Sequence, residues 1–176
     1  CLQCAFSCPY KVIKVVGQYL TVDELIKICL KDRSLYKISN GGVTFSGGEP
    51  LFQPAYLEKC VRRLKKENIH VAIETSGYAD KNIIKSLSKY IDLWIYDIKI
   101  IDEKKHIDVI GKSNRVILEN LMYLAESGKD IWLRIPLIPT INDGEEDIKQ
   151  LVRFLKGLVK YENIKRVQLL EHNFLC

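Results

Sequence analysis

From residue 21 onward the chain alternates between two hydrophobic rhythms. Segments with apolar residues three and four apart give way to short continuous runs rich in Val, Ile, Leu and aromatic residues, and each run stops at small or polar residues. Thr21 followed by Glu24 has the form of a capping box and opens a helix expected over 21–36. A strand is expected over 42–46. Pro54 suits the first turn of the next helix, whose apolar residues at 57, 60, 61 and 64 share one face. The alternation continues with a strand over 71–74, a helix over 80–90, a strand over 93–98, a helix over 113–128 and a long strand over 131–138. A last helix over 143–161 places Ile148, Leu151, Val152, Leu155 and Val159 on one face, and a strand over 166–170 closes the series.

Five strands separated by helices predict a parallel sheet, because parallel neighbours need a crossover and that crossover is right-handed. The runs are apolar on both faces, as buried parallel strands should be. An open doubly wound sheet and a partial barrel both fit this periodicity. In either one, ligands bind beyond the carboxyl ends of the strands.

Composition narrows the picture. At 176 residues and 47% apolar content the chain is expected to form one α/β unit with a sizeable core. Its 27 basic and 22 acidic residues leave +5, too small a surplus to point to nucleic acid. No run of eighteen apolar residues and no basic-then-apolar leader occurs, so a cytoplasmic protein without a membrane partner is expected. The sequence opens on Cys1 and its only methionine is Met122, from which a longer parent protein is expected. Cysteines at 1, 4, 8, 29, 60 and 176 do not form a disulfide framework suited to a chain of this size. Cys29 and Cys60 lie on helical apolar stripes and are expected as packed thiols.

The strand ends carry the candidate chemistry. The first run ends in Ser46, Gly47, Gly48, Glu49 and Pro50, the second in Glu74, Thr75, Ser76 and Gly77, and the third in Asp97, Ile98 and Lys99. Arg134 interrupts the fourth, and the fifth ends in Glu171, His172 and Asn173. Gly47 and Gly48 let backbone approach a ligand closely, Glu49 suits an ammonium and Lys99 a carboxylate. Asp97 and Glu74 suit hydroxyls or a cation. Five such ends on one rim predict a small zwitterionic ligand, such as an amino acid with a sugar attached, and Gly48, Thr75, Asp97 and Lys99 are expected to line one cavity.

In this order the residues resemble a known family. Gly47, Gly48, Glu49 and Pro50 resemble the Gly-Gly-Glu-Pro element of radical S-adenosylmethionine enzymes, and the neighbours resemble its glycyl radical enzyme activases, whose best-known members serve pyruvate formate-lyase. Those neighbours are the second and third strand ends, the run from His106 to Gly111, Asn120 with Leu121, and Arg134, Ile135 and Pro136 leading to Pro139 and Asp143. The resemblance implies an incomplete parallel (βα) barrel with five strands present and the first missing. It implies S-adenosylmethionine across the strand ends, with Gly47, Gly48 and Glu49 at the amino group, Lys99 at the carboxylate and Asp97 near the ribose, and Ile98 also binding the cofactor. Glu74, Thr75 and Asp97 are implied to border a monovalent cation, and Arg134 and His172 to complete the site. Histidine departs from the family pattern, which places proline and an aromatic residue before it, where this chain has Leu170 and Glu171.

The implied reaction uses a 4Fe-4S cluster to cleave S-adenosylmethionine reductively, and the resulting 5′-deoxyadenosyl radical removes hydrogen from a glycine of a partner enzyme. Reduced flavodoxin or ferredoxin is the implied electron donor. The family holds that cluster on C-x3-C-x2-C, which this sequence lacks. Cys1, Cys4 and Cys8, followed by Pro9, have the spacing of the tail of a bacterial ferredoxin run, and are expected to ligate an accessory cluster. Residues 1–20 are therefore expected to be the remnant of a ferredoxin-like insert, residues 21–176 the core, and the fragment alone to be inactive. A zinc site and unrelated thiols are the alternatives for the cysteines. The alternatives for the whole are radical chemistry on another peptide or a small molecule, and a non-enzymatic iron-sulfur electron-transfer module.

Overall fold

The computed structural model describes residues 17–171 together with residues 7, 9, 10 and 12. Cys1, Cys4, Cys8 and His172 lie outside the described residues, as does most of the segment 1–20. Helix α1, Val22–Leu30, starts as expected: Thr21 Oγ1 accepts from the Glu24 amide at 3.3 Å, and the Glu24 carboxylate accepts from the Thr21 amide at 2.8 Å. The single helix expected over 21–36 is instead two. The Lys31 amide closes the first with a tight bond to the Ile28 carbonyl, and α2, Arg33–Ser39, follows and stops at left-handed Asn40.

Strand β1 (Gly42–Phe45) leads through a short 3-10 turn, Pro50–Phe52, into α3 (Pro54–Lys66), and β2 (His70–Thr75) follows. Next come α4 (Lys81–Leu87), β3 (Leu93–Asp97), α5 (Glu103–Ile110), α6 (Arg115–Glu126), β4 (Asp130–Leu137), α7 (Glu145–Leu158) and β5 (Ile164–Glu171). The strand boundaries match the sequence expectation to within two residues, whereas α5 was not expected as an element of its own. Its Asp102 N-cap accepts from the Lys105 amide and Gly111 closes it in the left-handed region, so local chemistry alone defines eight residues that carry little apolar rhythm.

The five strands form one sheet in the order β1-β2-β3-β4-β5, every pair parallel, and β1 and β5 do not pair with each other. Register sorts the side chains. Phe45, Ile73, Trp94 and Ile131 fall in one row and Thr75, Tyr96 and Leu133 in the next, all on the face covered by helices. Val61 and Leu64 of α3, Ile84 and Leu87 of α4, and Leu121 and Leu124 of α6 complete that core. Cys60 is buried and Cys29 packs against the core, both as free thiols, as their stripes imply. The opposite face carries Ala72, Glu74, Ile95, Asp97, Trp132, Arg134 and Gln168.

Burial on both faces holds for the middle of the sheet and fails at its edge. Along β5, Val167, Leu169 and Leu170 are exposed. The face expected for the last helix also shifts: Leu151 and Leu158 are buried and Leu155 is half-buried, while Val152 is 42% and Val159 80% exposed. Only one flank of α7 meets the sheet, so part of its apolar stripe has no partner among the described residues. On the other edge, among the described residues, β1 pairs with β2 alone. No helix of the described residues is long and apolar enough to cross a membrane.

Helix-side packing therefore dominates stability. Leu121→Ala, at a fully buried position, should cost about 2 to 5 kcal/mol, whereas Val159→Ala should stay within about 0.5 kcal/mol. Urea titration of the two variants checks the difference.

Candidate active site

The parallel sheet delivers the loops after β1, β2 and β3 to the same end. After β1 the chain turns at Gly47, whose φ of 113° is open to glycine, and a Cβ at Gly48 would meet nothing within 4 Å. Beside this loop lies a hollow of about 430 Å³ lined by Ser46, Gly48, Glu49 and Tyr56 among others. The backbone here is bare and reachable.

Glu49, expected at an ammonium, has both carboxylate oxygens engaged within the protein. Its Oε1 accepts from the Thr75 hydroxyl at 2.6 Å and the Leu51 amide at 3.1 Å, and its Oε2 accepts from the Ser76 amide at 3.0 Å and the Ser76 hydroxyl at 2.7 Å. Four donors on one carboxylate tie the glycine loop to the end of β2. Thr75 is buried, and its hydroxyl also accepts from the Gly77 amide at 3.0 Å, so this side chain belongs to the scaffold of the site.

The loop after β2 is held from behind. Gly77 has a φ of 72°, and a Cβ there would lie 1.7 Å from the Tyr96 hydroxyl, which itself donates to the Ile117 carbonyl at 2.6 Å. Burial, with the Glu49 charge as a smaller cause, raises the Tyr96 pKa and keeps it a neutral donor. Buried Asn120 donates to the Gly77 carbonyl at 3.0 Å and the Ala79 carbonyl at 2.8 Å. In the sequence Asn120 stands only as part of a motif. Its signal was an amide amid the Ile117, Leu121 and Leu124 stripe of α6.

On the face opposite the helices a polar chain crosses the sheet. The Ser46 hydroxyl donates to Glu74 Oε2 at 3.0 Å, Arg134 pairs with Glu74 Oε1, and Arg134 Nε donates to Gln168 Oε1 at 3.4 Å. Asp97 sits in register with Arg134. Burial first and the Glu74 carboxylate second raise the Asp97 pKa, against smaller opposing effects of Lys99 and Arg134. Lys99 is exposed between buried Ile98 and Ile100, and it makes no ion pair among the described residues.

Glu74, Asp97, Lys99, Arg134 and the two glycines thus share one end of the sheet, while buried Ile98 contributes packing rather than a polar contact. The residues expected around one cavity, Gly48, Thr75, Asp97 and Lys99, have different surroundings. Gly48 borders the hollow, Thr75 is buried beneath it, and Lys99 borders a small crevice with Asn142 and Asp147. Among the described residues no three His, Cys, Asp or Glu side chains stand together as a metal site.

The raised Asp97 pKa fixes the sign of a pH effect. The folded chain binds this proton more tightly than the unfolded chain, so its stabilising contribution is full at low pH and is lost as pH rises through the raised value. Asp97→Asn, which stays neutral, should raise the melting temperature at pH 7. The gain should vanish below about pH 4, where Asp97 is itself protonated. Thermal melts across that range check it.

Comparison with known proteins places this geometry. A model described as the Radical SAM superfamily matches residues 1–155. The choline trimethylamine-lyase activating enzyme of Oleidesulfovibrio alaskensis is 38% identical over 165 residues, covering 94% of this chain and 53% of that protein. The trans-4-hydroxy-L-proline dehydratase activating enzyme of Clostridioides difficile is 44% identical over 163 residues, covering 91% and 53%. The chain thus spans about half the length of these relatives. A crystal structure of a domain of pyruvate-formate lyase-activating enzyme from Bacteroides vulgatus is similar with a TM-score of 0.60 and 36% identity, over 65% of this chain and 71% of that one. Streptococcus suis SuiB bound to S-adenosylmethionine shares the fold, with a TM-score of 0.70 and 18% identity over 91% of this chain and 36% of that one. With its five parallel strands and Gly-Gly-Glu-Pro loop at their carboxyl ends, the chain belongs to the radical SAM superfamily, where relatives are glycyl radical enzyme activating enzymes.

Proposed function

We propose that this chain is the core of an activating enzyme that binds S-adenosylmethionine at the carboxyl ends of β1, β2 and β3 and installs a glycyl radical on a partner enzyme. The observation that carries the reading is the presentation of Lys99. It is an exposed ammonium between two buried isoleucines, at the same sheet end as the bare Gly47 and Gly48 backbone. The donor set fits the cofactor. Gly47 and Gly48 offer backbone to an amino group, Lys99 suits a carboxylate, and Asp97 suits ribose hydroxyls. When bound together, the cofactor and a 4Fe-4S cluster supply a 5′-deoxyadenosyl radical able to remove a glycine hydrogen.

The remaining residues orient and shield. Glu49, with Thr75 and Ser76, keeps the glycine loop at a fixed distance from β2. Arg134 neutralises Glu74, and a monovalent cation beside Glu74 and Asp97 would offset both the burial and, second, the Glu74 repulsion that raise the Asp97 pKa. His172 and the cysteines of residues 1–20, for which a ferredoxin-like accessory cluster is the reading, contribute from outside the described residues. The catalytic cluster needs a C-x3-C-x2-C motif that these 176 residues do not contain.

The partner proposed is a glycyl radical enzyme as a class, pyruvate formate-lyase being one member, with reduced flavodoxin or ferredoxin as the electron donor. Relatives named for choline trimethylamine-lyase and trans-4-hydroxy-L-proline dehydratase support the class rather than one enzyme. An electron-transfer module would leave the polar chain across the sheet without a use.

The test uses the full-length protein, prepared without oxygen and reconstituted with iron and sulfide. Reduction should yield 5′-deoxyadenosine, and addition of the matching partner should give a glycyl radical by paramagnetic resonance. In calorimetry Lys99→Ala should lose about 1.5 to 3 kcal/mol of S-adenosylmethionine binding, roughly 10- to 150-fold in affinity. Unchanged affinity would remove Lys99 from the site.

A further inference from the structure

The segment that follows β3 has no strand or helix to satisfy it, yet three successive carbonyls in it are bonded. Asn142 Nδ2 donates to the Lys99 carbonyl at 2.5 Å, and Asn114 Nδ2 donates to the Ile100 carbonyl at 2.9 Å and the Ile101 carbonyl at 2.8 Å. Both amides are almost wholly removed from solvent, at 6% and 2% exposure. They reach the segment from different elements. Asn114 stands at the start of α6, and Asn142 lies in the loop between β4 and α7.

Asn142 does more than cap one carbonyl. Its Nδ2 also donates to the Pro136 carbonyl at 2.7 Å, and its Oδ1 accepts from the Ile138 amide at 2.6 Å. A single carboxamide with both N–H groups and its oxygen engaged thus ties the end of β3 to the end of β4. On the strand side, the Ile98 amide donates to the Arg134 carbonyl at 2.8 Å. Ile98 and Ile100 are buried on either side, so the Lys99 side chain is the free part of an otherwise fixed stretch.

We infer that Asn142 is a positioning residue for Lys99: it fixes the backbone from which the ammonium projects, so that the lysine meets a ligand carboxylate without first ordering its own main chain. The chemistry demands this side chain. An aspartate of the same shape would aim an oxygen at two carbonyl oxygens, while serine or alanine would leave buried carbonyls unpaired. The inference rests on the cofactor carboxylate being held by Lys99, as proposed above, and adds what gives that contact its strength.

The test compares Asn142→Asp with wild type in the full-length protein, using S-adenosylmethionine as the probe. Hydrogen exchange should speed up by roughly tenfold in residues 98–101 while β2 keeps its protection. Calorimetric affinity should fall by about tenfold, yet in a Lys99→Ala background Asn142→Asp should change affinity by less than about twofold, because the two act through one contact. In reductive cleavage by the reconstituted protein, KM should rise by about tenfold with kcat within about twofold, whereas mere loss of folded protein lowers kcat and leaves KM alone. Equal acceleration of exchange in β2, additive affinity losses in the double variant, or an unchanged KM would each overturn the inference. Failure of wild type to bind the probe would instead sink the cofactor reading and this inference with it. Should Asn142→Asp not fold, Asn114→Asp, which removes the donor to the next two carbonyls, is judged by the same outcomes.

Discussion

Parallel pairing brings every strand to an end on the same rim, and backbone beyond the last ladder bond has no strand partner. At this rim the missing partners are side chains. Glu49 takes four donors from the turn at Leu51 and from Thr75 and Ser76, and Asn120 takes two carbonyls after β2. Asn114 and Asn142 do the same after β3. Because a buried unpaired carbonyl or amide costs about 1 to 3 kcal/mol, these bonds hold the loops in single conformations. The glycine turn, the Gly77 turn and the Lys99 segment all depend on them.

The same end of the sheet also gathers charges of both signs. Glu74 has a close partner in Arg134 and a second donor in Ser46, but Asp97, one level further along, is half-buried beside Glu74 with Lys99 and Arg134 only partly offsetting that carboxylate. A carboxylate that the fold would sooner protonate is a cost to stability, and sites that bind charged ligands carry such costs. Lys65 and Lys105, by contrast, are neutralised within the scaffold by Asp92 and Asp147. Lys99 at the rim makes no such pair among the described residues.

Away from the rim the energetics are ordinary. The helix-facing rows of β2, β3 and β4 are closed, while among the described residues β1 is mostly half-buried and β5 mostly exposed. The gradient from closed centre to open edges follows from the number of neighbours each strand has. It does not reflect a weaker apolar pattern, since β5 reads as hydrophobic as its position allows: Ile164, Val167, Leu169 and Leu170.

Local chemistry was legible without a fold. Strand positions, the Thr21 capping box, the Pro54 helix start, parallel order and the polar strand ends all follow from residues close in sequence, because period, caps and crossovers are short-range effects. The break between α1 and α2, the second-flank exposure of α7 and the separate α5 were not, since each turns on which neighbours are present or on a single cap. At the site, Gly47, Gly48, Asp97 and Lys99 could be picked from the sequence as ligand-facing types, but an isolated carboxylate such as Glu49 cannot reveal that its four donors include residues 26 and 27 positions away. Nor can Asn142 reveal that it meets a carbonyl 43 positions earlier. The sequence by itself determined which groups could do chemistry and at which strand ends they stand. Only the tertiary structure decided which of them hold the loops and which stand exposed at the rim, because that choice depends on hydrogen bonds between segments that only the sheet brings together.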